Sequence, residues 1–170
     1  PPRLRRGQRR LAASRAAGVQ VFFVPHHRAK DHDFDNWKYM APVQAGAARA
    51  KVFAEGTWGG EFHPDFKPQP GDVVAQTHWM SSGFADTDLE RQLRAHGVER
   101  VIIVGLRANT CIESTMRYAA ELGFHVTLVK DAIGAFNMEE IKSATELNGP
   151  SYASAILATS DLVATLKPKA

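Results

Sequence analysis

The chain holds one cysteine, Cys111, inside the stretch VIIVGLRANTCIEST at residues 101–115. An apolar run leads to Gly105, and a helical pattern surrounds the sulfur. Thr110 and Glu113 have the T-x-x-E spacing of a capping box, which predicts Thr110 as the N-cap and Cys111 as the first helical residue. A thiol at that place faces the positive end of the helix dipole and backbone N–H groups that lack intrahelical partners. Both favour thiolate, the form that attacks carbon. The same N–H groups can hold an oxyanion as it develops on an attacked carbonyl. Free cysteine is also among the most buried residue types, so a core thiol fits the position equally well. With no second cysteine, neither CxxC nor zinc-finger spacing is available.

The elements that would position this residue alternate between two periods. Residues 4–18, LRRGQRRLAASRAAG, read as a helix ending at Gly18, and VQVFFVP at 19–25 as a buried strand. DVVAQTHW at 72–79 is a second strand, and DTDLERQLRAHG at 86–97 a helix closed by Gly97. RVIIVGL at 100–106 is almost wholly apolar, as a central parallel strand is. A helix to Gly123 follows, then HVTLVKDA at 125–132, a helix in NMEEIKSATELN, and a short strand before a terminal helix starting near Thr159 or Ser160. This order predicts a single α/β domain over 1–170: a three-layer, doubly wound parallel sheet with helices on both faces. Such domains commonly open on a central strand, and this chain opens on a basic helix, so its first strand reads as missing. Residues 26–71 lack a clear strand and form a long lid or pocket loop, with a short helix near PVQAGAARA.

Composition narrows the function classes. At 170 residues, 44% hydrophobic and 23% charged, the chain can bury a core as one domain. A lone cysteine excludes an internal disulfide framework and makes the cytoplasm the expected compartment. No apolar run nears the roughly 18 residues of a membrane helix. Five arginines fall in the first ten positions, but without aromatic interleaving they read as a solvated helix face, not a nucleic-acid patch.

The segment GLRANTCIESTMRYAAELGFHVTLVKDA resembles the nucleophile segment of the isochorismatase-like cysteine hydrolases, through Gly105, Asn109, Cys111, Ile112, Thr115, Gly123, Asp131 and Ala132. Upstream, Ser82, Gly83, Phe84, Thr87 and Leu89 fit the family's S-[AG]-F-x-x-T-x-L pattern. The resemblance spans roughly residues 10 to 165. It implies a hydrolase that cleaves the C–N bond of a small amide or ureide through a cysteine acyl-enzyme, using a Cys-Lys-Asp triad. It also implies a cis peptide before the nucleophile turn, joining Leu106 to Arg107, and an oxyanion hole formed there with Cys111. It implies no cofactor, and a homo-oligomer, dimer or tetramer, by analogy.

The sequence departs from that pattern at two triad positions. His78 stands where the lysine is expected, so Cys111 and His78 are the catalytic candidates, with His78 replacing or assisting the lysine. The aspartate has no counterpart before Arg10; Asp31, Asp33 and Asp35 lie in the long loop, and the expectation is an aspartate on a strand upstream of Pro1. His27, Trp58, Trp79, Arg107 and Asn109 are the candidate pocket residues, with Asn109 also suited to holding the turn and Arg107 equally suited to meeting an anionic group or to reaching solvent. Asp131 is expected to fix a loop. Relatives of nicotinamidase type bind a metal through Asp and His in this region, but PHHRAKDHD, with His26, His27, Asp31 and His32, does not reproduce their D-x-H arrangement, so no metal site is assigned. A catalytically silent binding or assembly protein of the same fold, or an isochorismate-type vinyl-ether hydrolase, are the alternatives.

Overall fold

A computed structural model describes residues 11–166 of the chain. Helix α1 is described over residues 11–16 and closes at Gly18, whose φ of +73° suits a residue without a side chain. Residues 4–10 of the expected basic helix lie outside the described part. The remaining elements are β1 (Phe22–Phe23), α2 (Pro42–Arg49), β2 (Val73–Val74), α3 (Leu89–Ala95), β3 (Arg100–Leu106), α4 (Glu113–Glu121), β4 (His125–Gly134), α5 (Met138–Lys142), α6 (Gly149–Tyr152), β5 (Ala155–Leu157) and α7 (Thr159–Thr165). The alternation is the one the sequence periods require, and every strand pair is parallel.

Strand β4 lies between β3 and β5 and is the most buried strand, with Val126, Leu128 and Val129 almost fully enclosed. Met116 and Ala119 of α4 pack onto it, together with Phe84, Leu89 and Leu93 from the region of α3. Strands β1 and β2 pair only with each other among the described residues. Strand β3 is less buried than its apolar sequence predicts. Among the described residues it pairs with β4 alone, and Val104 and Leu106 are 51% and 74% exposed.

The first two expected strands are shorter than their sequences suggest. Phe22 and Phe23 face Val73 and Val74, and the pairing resumes only at His26 and His78. One extra residue of the second segment is accommodated between these points. Gln76 has left the ladder, and its N–H donates to Asp88 Oδ1 at 2.6 Å.

A tight junction lies where the segment after His78 meets α4. The Gly83 N–H donates to Thr115 Oγ1 at 2.9 Å, and Thr87 Oγ1 donates to the Gly83 carbonyl at 2.6 Å. A Cβ at Gly83 would stand 2.6 Å from Val24 Cγ1 and 3.4 Å from both Leu89 Cδ2 and Thr115 Oγ1. Gly83→Ala is therefore expected to destabilise the fold by about 1–3 kcal/mol through overpacking. Urea denaturation checks this, and an unchanged midpoint would show that Val24 yields freely.

Candidate active site

Cys111 lies just past the carboxyl end of β3, as expected, but not at the start of a regular helix. A wide π-type turn over Ala108–Ile112 precedes α4, with Arg107 as its extended N-terminal neighbour. The expected Thr110–Glu113 capping box is absent, because each partner has a better one. Glu113 Oε1 accepts from Arg117 Nη2 at 2.7 Å and from Asn148 Nδ2 at 3.1 Å. Thr110 Oγ1 instead leans toward the Arg107 carbonyl at 3.4 Å and toward Cys111 Sγ at 3.9 Å. Helical winding has thus begun before Cys111, which sits inside the turn. Single π-turns of this kind are frequent at functional sites.

The Arg107 carbonyl organises the turn, accepting from Thr110 N at 3.3 Å and from Ile112 N at 3.1 Å. The peptide bond between Leu106 and Arg107 is cis, the bond that the resemblance singles out. Cys111 is partly exposed, and its Sγ lies 4.0 Å from the Met80 carbonyl. The thiol therefore faces the segment that carries His78, two residues before Met80.

His78 is only 4% exposed, and its Nδ1 is buried without a hydrogen-bond partner among the described residues. Its pKa is pushed down to about 4, chiefly by loss of solvent, then by the neighbouring His26, against the opposing effect of the Met80 main chain. The ring is neutral at neutral pH, so it does not carry the positive charge of the lysine it was expected to replace. His26 lies edge-on to it with ring centres 5.1 Å apart, and burial lowers the pKa of His26 too.

Beside these rings runs an aromatic wall. His27 stacks on Trp79 at 3.8 Å, and Phe34 and Trp37 pack against the same indole. His27 Nε2 is 2.8 Å from Asp33 Oδ2, whose carboxyl is held below its usual range first by the Lys30 N–H and then by His27. His27 also lines an open cleft of about 380 Å³ with Arg28, Lys30, Phe62 and Thr77. Asp35 pairs with His32 at 2.9 Å. Trp58, expected in the pocket, stands 77% exposed with its ring edge toward His63.

Two residues flanking the turn behave differently from expectation. Arg107 is not free for an anion, because Glu140 takes its guanidinium in a forked pair at 2.9 and 2.7 Å. Asn109 Oδ1 is buried without a partner among the described residues, so this atom does not hold the turn; the Arg107 carbonyl does. Asp131 Oδ1 accepts from the N–H and hydroxyl of Thr159 and so fixes the start of α7, in keeping with a structural role.

Glu140 was not visible as a site residue. NMEE signals a helix start, and Asn137 does cap α5 by accepting from Glu140 N at 2.9 Å. Nothing in the spacing tells that the Glu140 carboxylate reaches back 33 positions to the nucleophile turn.

Known proteins add the following likenesses. The sequence matches the Isochorismatase domain family over residues 3–160. It is 31% identical to the ureidoacrylate amidohydrolase RutB of Rhizobium rhizogenes, covering 94% of this chain and 69% of that protein. It is 32% identical to the RutB of Agrobacterium fabrum over 81% of this chain and 64% of that one. The chain thus spans about two thirds of the length of these relatives. In structure it resembles a cysteine hydrolase from Pseudomonas syringae, with a TM-score of 0.79 and 22% identity over 95% of this chain and 78% of the other. An isochorismatase family protein from Desulfovibrio vulgaris superposes with a TM-score of 0.74 at 25% identity, covering 91% of this chain and 80% of the other.

Proposed function

Since the chain belongs to the isochorismatase family, we propose that it hydrolyses the C–N bond of a small ureide or amide with Cys111 as the nucleophile. The observation that carries this reading is the placement of Sγ: partly exposed, within the turn at the carboxyl end of β3 and 4.0 Å from the Met80 carbonyl. The Cys111 sulfur attacks the carbonyl carbon, the C–N bond breaks, and the thiol proton ends on the departing amine. Water then cleaves the thioester formed from an amide, or the S-carbamoyl thiocarbamate formed from a ureide. From a ureide this releases carbamate, which decays to carbon dioxide and ammonia. Backbone N–H groups of the turn from Arg107 to Cys111 receive the developing oxyanion. His78 takes part as a neutral ring. His27 and Trp79 wall the substrate side. The RutB relatives, both named for ureidoacrylate, favour a ureide over a simple amide.

The test is ammonia release from 3-ureidoacrylate and N-carbamoylsarcosine by the full-length protein, with mass spectrometry of the quenched enzyme. Turnover of either substrate, with a mass increment on the Cys111 peptide, is expected. No turnover and no adduct would replace this reading with that of a catalytically silent ligand-binding member, which the histidine at the expected lysine position suggests.

A further inference from the structure

Glu140 of α5 is bound to the nucleophile turn more closely than an exposed ion pair requires. Its two carboxylate oxygens take Arg107 Nε and Nη2 in a planar fork at 2.9 and 2.7 Å, with side chains 27% and 15% exposed for Arg107 and Glu140. The Phe136 ring covers the guanidinium, whose carbon lies 4.4 Å from the ring centre, although Phe136 itself is 82% exposed. The Phe136 N–H also donates to Glu140 Oε2 at 3.2 Å. The carboxyl stays well below its usual range, first because Arg107 donates to it. Arg107 is in turn the residue after the cis bond, and its carbonyl gathers Thr110 N and Ile112 N on either side of Cys111.

We propose that Glu140 is a positioning residue: by clamping the Arg107 side chain it fixes the turn whose N–H groups receive the oxyanion during addition to a carbonyl. The inference rests on the reading of Cys111 as nucleophile. It assigns Arg107 an internal task instead of substrate binding. A fork of this kind is directional, so a point charge or an amide in place of either partner loosens the turn without unfolding it. Addition of a thiolate to a carbonyl needs the turn. Displacement of iodide from iodoacetamide by the same thiolate forms no oxyanion and does not.

The experiment compares full-length native protein with Glu140→Gln by two reactions of Cys111. The first is the alkylation rate with iodoacetamide at one pH. The second is protection from that alkylation by propionaldehyde, which adds the sulfur to its carbonyl carbon and a proton to its oxygen, giving a reversible hemithioacetal. The expected result is an alkylation rate within twofold of native and an aldehyde protection constant weakened at least tenfold. Where a ureide is turned over, kcat falls at least tenfold with KM changed less than threefold. Glu140→Asp, which keeps the charge on a shorter arm, recovers part of the protection, and Arg107→Lys with Glu140→Gln is no worse than either change alone. Unchanged protection in Glu140→Gln overturns the inference and leaves Cys111 as nucleophile. A native thiol that propionaldehyde does not protect overturns the reading of Cys111 itself. If alkylation speeds up many-fold in Glu140→Gln, the pair serves fold integrity only, and the positioning role is rejected.

Discussion

Cys111→Ala is expected to lower kcat for the proposed ureide hydrolysis by at least about 10⁴-fold, the scale seen when the attacking atom of a hydrolase is removed. Nothing else among the described residues replaces it, since the chain has a single thiol and the turn is built around it. The substitution is small and isosteric except for the sulfur. The polar contacts of Sγ among the described residues are long, 3.9 Å to Thr110 Oγ1 and 4.0 Å to the Met80 carbonyl, so the fold is expected to survive. A stopped assay with ammonia detection, alongside a thermal melt, checks both halves of the expectation. A variant that keeps more than a tenth of native kcat would remove Cys111 from the chemistry.

The second large effect concerns stability and pH. Burial pushes the His78 pKa from 6.5 down to about 4. Between these values the unfolded chain binds a proton that the folded chain refuses. Falling pH therefore favours unfolding across this window, and stability rises with pH through it and levels off above about 6.5. The cost of going from the top to the bottom of the window is on the order of 3 kcal/mol for this ring. His26, also lowered by burial, adds in the same direction. The carboxylates held low, Asp33, Asp72, Asp88 and Glu140, act mainly below the window, where protonation costs the folded state their partners. Urea midpoints taken from pH 7.5 to pH 4.5 are expected to fall steeply in the native protein and to flatten in His78→Leu. A slope that persists in His78→Leu would assign the acid sensitivity to His26 or to other groups.

What could be read from sequence follows what is local. RVIIVGL and HVTLVKDA became β3 and β4 because runs of that length and apolarity have few alternatives inside a domain, and Gly97 and Gly123 end helices with φ of +64° and +82°. The cis Leu106–Arg107 bond was expected from the resemblance of the GLRANTCIEST segment to a family, whose residues lie side by side. Legibility ended where a side chain had several partners to choose from. Thr110 and Glu113 have ideal spacing for a capping box, yet Arg117 and Asn148 take Glu113, and helical winding begins earlier. Arg107 reads as an exposed cation until α5 is folded against it and Glu140 claims it. The shortness of β1 and β2 has the same kind of cause, since the Asp88 that takes Gln76 N out of the ladder lies 12 residues further on. His78 was found through its place in a motif, but its neutral state comes from burial beside His26, which periodicity does not encode.

The missing side chain at Gly83 has a geometric consequence for the site. Val24 belongs to the segment that leads to His26, and Thr115 to the helix that follows Cys111. Both meet over position 83: Val24 Cγ1 lies 2.6 Å from where a Cβ would stand, and the Gly83 N–H reaches Thr115 Oγ1 at 2.9 Å. Gly83 thus works as a gauge block, its bare backbone setting how closely the segment after β1 and the helix behind the thiol approach each other.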